Sequence, residues 1–120
     1  MKALRRKPIV AIGANSQHSR ASGGLQIPSS LKVAPHRYQI TYEDLPSVGD
    51  SKLLGQTDNS ELTIKIDKSM TETKQVETFL HEAVHAMDDW AGTGFTEDQV
   101  ERFSKVLYQV LVENPGLFRK

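Results

Sequence analysis

Residues 81–85, which read His-Glu-Ala-Val-His, carry the side chains of this chain that are best suited to chemistry. In a helix, side chains four residues apart lie one turn apart on the same face, so His81 and His85 can bind one metal ion. Glu82 lies one position further round the helix, where its carboxylate can meet a water molecule at that metal. The spacing predicts that the two histidines are metal ligands and that Glu82 is a general base.

Zinc suits this set of donors, because the chain has no cysteine and must hold a metal with imidazole and carboxylate groups. A zinc ion with three protein ligands keeps a fourth position for water and lowers the pKa of that water to about 7. Glu82 would take the proton and pass it to a leaving amine. The pattern therefore predicts Zn2+-dependent hydrolysis of an amide, most simply a peptide bond. The alternative is a chance match, with the histidines on a solvated polar face.

The third protein ligand is left open by the residues alone. Glu97 and Glu101 lie on one stripe of a second predicted helix. Glu101 is about as far beyond the intervening turn as His85 is before it, whereas Glu97 is closer to the apolar stripe and so to the first helix. Each glutamate also has an ordinary interpretation, since Glu97 suits the first turn of a helix and Glu101 can pair with Lys105.

Two further side chains have candidate roles at the site. Asp88, one turn after His85, can accept a hydrogen bond from a ligand imidazole and fix its tautomer. Tyr108 can donate a hydrogen bond to the oxyanion of a tetrahedral intermediate. Each has a plainer alternative, which is an exposed acid for Asp88 and partly buried packing for Tyr108.

Two helices are predicted to carry these residues. Ser69–Glu72 matches a capping box, and apolar residues then recur at steps of three and four until the glycines at 92 and 94, so the first helix ends near Trp90. A second capping box at Thr96–Gln99 begins another helix, which Asn-Pro-Gly at 114–116 terminates. The short turn between them predicts antiparallel packing.

Alternating apolar and polar residues predict strands ahead of the helices, at 38–42 and 62–66, with a hairpin-like connection over 44–59. The predicted fold class is α+β, in which a small antiparallel sheet from residues 31–66 packs on two antiparallel helices. The open side of the metal site would then face the strand of Ile64. A substrate peptide would add to that edge as a further strand.

The charge of the chain is balanced overall but unevenly distributed. Its 120 residues contain 15 Lys and Arg and 15 Asp and Glu, which suits one small domain. Residues 1–40 hold seven basic residues and no acid, whereas 41–120 hold eight basic and fifteen acidic residues. We interpret 1–30 as a flexible basic segment and 31–120 as the domain. No apolar run is long enough to span a bilayer, and a cytoplasmic protein is predicted.

The sequence around the histidines also resembles a family of small phage and bacterial metallopeptidase-like proteins, related to the ImmA/IrrE-type minimal zincins. The resemblance extends over about residues 54–117, roughly half of the chain, and depends on the segments Gly55–Asp58, Thr63–Asp67, Glu77–Ala86 and Thr96–Val100. In such relatives the position matching Glu97 is an acid or a histidine, while the one matching Glu101 varies. The resemblance implies a minimal zincin-like domain with His81, His85 and Glu97 as zinc ligands.

Two functional hypotheses follow. The first is a zinc metallopeptidase that cleaves a specific regulatory protein in a phage or mobile-element context, with activity that can depend on a partner; the substrate class and context are implied by the resemblance. The second is a non-catalytic, metal-stabilised binding module whose basic arm contacts nucleic acid or a protein. Glu82 separates them, because a structural metal site has no use for a base that is not a ligand.

Overall fold

A computed structural model describes residues 24–117 of the chain. The basic residues 1–23, which form most of the predicted flexible segment and of the arm in the second hypothesis, lie outside the described residues. The described part contains six strands and two helices, in the order β1 (Ser30–Val33), β2 (His36–Glu43), β3 (Ser47–Val48), β4 (Ser51–Lys52), β5 (Gly55–Asp58), β6 (Thr63–Asp67), α1 (Glu72–Ala91) and α2 (Glu97–Glu113). Ahead of β1, Leu25 and Ile27 already pack against the hydrophobic core. No helix in residues 24–117 is long and apolar enough to cross a membrane.

The α+β class is confirmed, but the main sheet is mixed and not wholly antiparallel. Its strand order is β1-β2-β6-β5, with β3 and β4 forming a separate two-stranded sheet. β2 and β6 run parallel, whereas β1 with β2 and β5 with β6 run antiparallel. The predicted hairpin-like connection over 44–59 contains the β3–β4 hairpin and, in addition, β5, which occupies the edge of the main sheet. The chain therefore runs through β5 in the opposite direction and reverses again before β6. As a result, β6 runs parallel to β2.

The strand of Ile64 is consequently an inner strand. β6 lies between β2 and β5, so its backbone is paired on both sides and a substrate peptide cannot add to it as predicted. The alternation within this strand is confirmed, because Ile64 and Ile66 are fully buried while Thr63 and Lys65 are half-buried. The free edge on this side of the sheet belongs to β5.

Helix α1 lies against the sheet and is buried almost all round its central turns. Its buried residues include every position from Thr78 to Ala86. The capping box predicted at Ser69 is wrong: the N-cap is Thr71, whose hydroxyl accepts a hydrogen bond from Lys74 N, while Ser69 binds Asp67. The helix ends at Ala91, one residue beyond the prediction, and Gly92 closes it in the left-handed region at φ 66°.

Helix α2 packs antiparallel to α1, as predicted. Its capping box is confirmed, with Gln99 N donating to the Thr96 hydroxyl and Thr96 N donating to the Gln99 side chain. Because the two helices are antiparallel, the later histidine of α1 lies opposite the earlier glutamate of α2. His85 approaches Glu97, and His81 approaches Glu101. The turn at 92–96 therefore folds the acidic start of α2 onto the histidines.

A buried carboxylate at the end of β6 ties the β3–β4 hairpin to the main sheet. The Asp67 side chain is fully buried; Oδ1 accepts a hydrogen bond from Leu45 N at 3.0 Å and lies 3.1 Å from Lys52 Nζ. The Ser69 hydroxyl donates to Oδ2. Burial favours the neutral carboxyl, but the bonds from Ser69, Leu45 and Lys52 outweigh it and lower the pKa of Asp67 below its ordinary value.

Asp67→Asn is expected to lower the free energy of unfolding at pH 7 by about 1–3 kcal/mol, because the amide cannot replace the charge and one of the acceptors. The difference from wild type should shrink as the pH falls below 3.8 toward the lowered pKa of Asp67, since protonation then removes the same charge from the native protein. Urea unfolding between pH 3 and 7 measures both effects.

Asp44→Asn is the matched control, because its carboxylate also approaches Lys52, at 3.3 Å, but is 77% exposed. This variant should leave the stability nearly unchanged. An equal loss in both variants, or a difference for Asp67→Asn that does not narrow in acid, would contradict the interpretation.

Candidate metal centre

Three of the predicted site residues converge between α1 and α2. His81 Nε2 lies 3.0 Å from Glu97 Oε2, and His85 Nε2 lies 3.1 Å from Glu97 Oε1. One donor atom from each of the three residues falls within 4.8 Å of the others. The structure therefore brings together the two histidines of one helix and the first residue of the next.

The histidines are not on a solvated face. His81 is 2% exposed and His85 is 8% exposed. A buried imidazole is ordinarily satisfied by a hydrogen bond, yet within residues 24–117 His85 Nε2 has none in spite of its close approach to Glu97. Donor atoms that bind one zinc ion tetrahedrally at about 2.0–2.1 Å are roughly 3.3 Å apart. The observed spacings of 3.0 and 3.1 Å are close to that value, and the 3.0 Å spacing is also that of a hydrogen bond between His81 and Glu97.

The two candidate glutamates face different nitrogens of the same ring. Glu97 approaches Nε2 of His81, whereas Glu101 Oε1 lies 3.1 Å from Nδ1. The Nδ1 approach lacks the alignment of a hydrogen bond. A metal-binding imidazole uses one nitrogen and commonly directs the other toward a carboxylate. Glu97 thus stands with the histidine Nε2 atoms, and Glu101 stands where it can orient the His81 ring.

The charges around His81 favour a cation at this point. Burial by itself disfavours the protonated imidazole, but the hydrogen bond to Glu97 and the charges of Glu82, Glu97 and Glu101 outweigh it and raise the pKa of His81 above its usual range. Three carboxylates therefore act on one buried ring. The same three negative charges would also stabilise a divalent metal ion.

Glu82 is buried separately from the three converging residues. It is 2% exposed, and its Oε1 accepts a hydrogen bond from the Thr57 hydroxyl at 2.6 Å. A Cβ atom added at Gly55 would lie 2.9 Å from Oε2. The carboxylate is thus held against β5, while its charge still acts on His81.

Gly55 and Thr57 are the site residues that the reasoning from motifs did not assign. Both lie in the Gly55–Asp58 segment that contributes to the family resemblance, but the sequence showed no role for them. One signal was available, since a buried helix carboxylate needs a donor and a threonine on a neighbouring strand supplies one. The sequence did not reveal that this segment is a strand beneath Glu82.

Asp88 and Tyr108 occupy positions that serve the helix pair. Asp88 is buried, and its carboxylate accepts hydrogen bonds from Phe95 N at 3.0 Å and from the Thr93 hydroxyl. It therefore fixes the turn that delivers Glu97. Tyr108 packs partly buried against the core, where burial and the charge of Glu77 raise the pKa of its hydroxyl.

Comparisons of the chain with protein-family models, with curated proteins and with solved structures found no match. The family resemblance therefore stays an expectation from the sequence, and the site is interpreted from its own residues.

Proposed function

We propose that this domain is a zinc-dependent peptidase, with His81, His85 and Glu97 as the metal ligands and Glu82 as the general base. The observation that carries the proposal is the buried convergence of two imidazole nitrogens on one carboxylate, beside a second buried carboxylate that is not among them. Burial is costly for all of these groups unless they have partners, so the cluster is poorly explained as ordinary core packing.

The donor set favours zinc. Two imidazoles and one carboxylate are a common set of protein ligands in catalytic zinc sites, whereas structural sites usually have four protein ligands. Glu101 faces the other nitrogen of His81 and so does not complete a set of four. When bound, zinc supplies Lewis acidity that polarises a substrate carbonyl and makes water acidic.

Glu82 supplies the proton transfer in this proposal. A carboxylate held beside the ligands without joining them can accept a proton from the attacking water and deliver it to the leaving amine. Its position at the site is supported by its place next to His81 in α1, where its charge acts on the His81 ring. Its burial keeps bulk water from competing for the carboxylate.

The substrate proposed here is a peptide segment of a protein, bound along β5. Asp67 N donates to Leu54 O, and hydrogen bonding in an antiparallel pair alternates, so the N–H and C=O groups of Gly55 and Thr57 face away from β6. Within residues 24–117 no strand pairs with this outer edge of β5. An extended peptide can add there, directly beside the strand that contacts Glu82.

Metal content tests the ligand assignment. Protein purified without chelator, or reloaded with Zn2+, is expected to hold about one zinc ion per chain, and the His81→Ala/His85→Ala variant none, as measured by elemental analysis. Zinc should also raise the melting temperature of wild type but not of the variant, because a ligand that binds only the native state stabilises it. Equal metal in both proteins would overturn the assignment.

The two glutamates are expected to differ in their effect on zinc affinity. Glu101→Gln should weaken zinc binding about tenfold, as expected for a group that orients a ligand, whereas Glu97→Gln should weaken it far more. Competition with a chromogenic chelator gives both dissociation constants. The reverse order would make Glu101 the third ligand.

Glu82→Gln separates a peptidase from a binding module. The variant keeps the acceptor for Thr57, so zinc content and melting temperature should stay near wild type, while cleavage falls by about 10²–10⁴-fold. The measurement is mass spectrometry of a proteome-derived peptide mixture incubated with each zinc-loaded protein. Cleavage that survives in the variant, or zinc-loaded wild type that cuts no peptide, would favour the binding module.

A further inference from the structure

The carboxylate of Glu82 is held in place from β5. The Thr57 hydroxyl approaches Glu82 twice, at 2.6 Å from Oε1 and at 3.0 Å from the backbone carbonyl oxygen. A hydroxyl has one proton, and the shorter, charge-assisted contact is the stronger bond. Thr57 is 1% exposed, so solvent water does not compete for this hydrogen bond.

The other oxygen of Glu82 faces a position without a side chain. A Cβ at Gly55 would lie 2.9 Å from Glu82 Oε2, 3.0 Å from Glu82 Cγ and 2.6 Å from Thr78 Cγ2. Contacts this short require something to move. Any other residue at position 55 would therefore require Thr78, the Glu82 side chain or β5 to move.

We propose that Thr57 is a positioning residue, which holds Oε1 of Glu82 and so fixes the orientation of this carboxylate next to the candidate metal ligands, with Gly55 providing the space. This inference rests on the proposed function and adds to it the strand that orients the base. The hydroxyl binds one carboxylate oxygen and restricts the side-chain rotamer on the buried helix, so the proposed base keeps one orientation.

A small zinc ligand tests this arrangement without knowledge of the substrate. Acetohydroxamic acid binds zinc through two oxygen atoms and gives up its hydroxyl proton to a neighbouring base, so its affinity reports on Glu82. Titration calorimetry of the zinc-loaded full chain would compare wild type with Thr57→Val, Thr57→Ser, Glu82→Gln and the Thr57→Val/Glu82→Gln double variant. Zinc content and melting temperature are measured for each protein.

Thr57→Val removes the hydroxyl without changing the shape and is expected to weaken acetohydroxamate binding about tenfold, the value of one charge-assisted hydrogen bond. Thr57→Ser should restore the wild-type affinity. The double variant should bind no more weakly than Glu82→Gln alone, because Thr57 acts through Glu82. Zinc content should not change.

Thr78→Val is the matched control. Thr78 is also a fully buried threonine at the contact with β5, but among the described residues its hydroxyl donates to Met70 Sδ, at 3.6 Å, and not to Glu82. This variant should bind acetohydroxamate like wild type. A loss equal to that of Thr57→Val would mean that any disturbance of this interface has the effect, and would overturn the proposal.

Two results would contradict the positioning role directly. One is wild-type affinity in Thr57→Val; the other is a double variant whose loss equals the product of the two single losses. Zinc-loaded wild type that does not bind acetohydroxamate would instead overturn the proposed function, and this inference with it. The zinc content and the wild-type titration therefore distinguish the two failures.

A second measurement covers the case in which Thr57→Val does not fold. A hydroxyl proton that is buried and bonded to a carboxylate exchanges slowly, so Thr57 should give a separate proton NMR signal in wild type and in Glu82→Gln. In Glu82→Ala the signal should shift, because the side-chain acceptor is lost and the backbone carbonyl oxygen of residue 82 remains. A rapidly exchanging Thr57 hydroxyl in the wild-type protein would overturn the proposal.

Discussion

The burial of ionisable side chains in the middle of α1 is the constraint on which the rest of the structure depends. His81, Glu82 and His85 lie at most 8% exposed in a helix that is covered on nearly every side. Such groups are stable in a core only if each finds a partner. The sheet edge supplies a hydrogen-bond donor for Glu82, and α2 brings Glu97 into a hydrogen bond with His81 and to within 3.1 Å of His85. β5 and α2 thus both contact the ionisable side chains of one segment of α1.

The turn between the helices places Glu97 next to the buried histidines. Asp88 receives hydrogen bonds from Phe95 N and Thr93, and Gly92 takes the left-handed conformation that ends α1. The chain then starts α2 with a capping box, so that Glu97 is the first helical residue. A carboxylate in the first turn is stabilised by the helix dipole, which offsets part of the cost of its partial burial.

Local patterns predicted the parts of this structure that local physics decides. The second capping box, the alternation of Ile64 and Ile66 and the helical phase of the two histidines each depend on neighbouring residues, and the structure shows all three. The parallel pairing of β2 with β6 depends on β5, whose four residues carry too little pattern to be recognised as a strand. Ser69 matched a cap in sequence, but the buried Asp67 competes for its hydroxyl.

The three glutamates near the two histidines differ in the groups that each carboxylate contacts. Glu97 meets the Nε2 atoms of both histidines, Glu101 meets the Nδ1 atom of one, and Glu82 is turned to the hydroxyl of Thr57. Spacing along the sequence left open whether Glu97 or Glu101 is the third candidate ligand. The two glutamates differ in which imidazole nitrogen each carboxylate approaches. Two identical side chains four residues apart on one helix differ in this way because His81 is buried between them, with one nitrogen toward each.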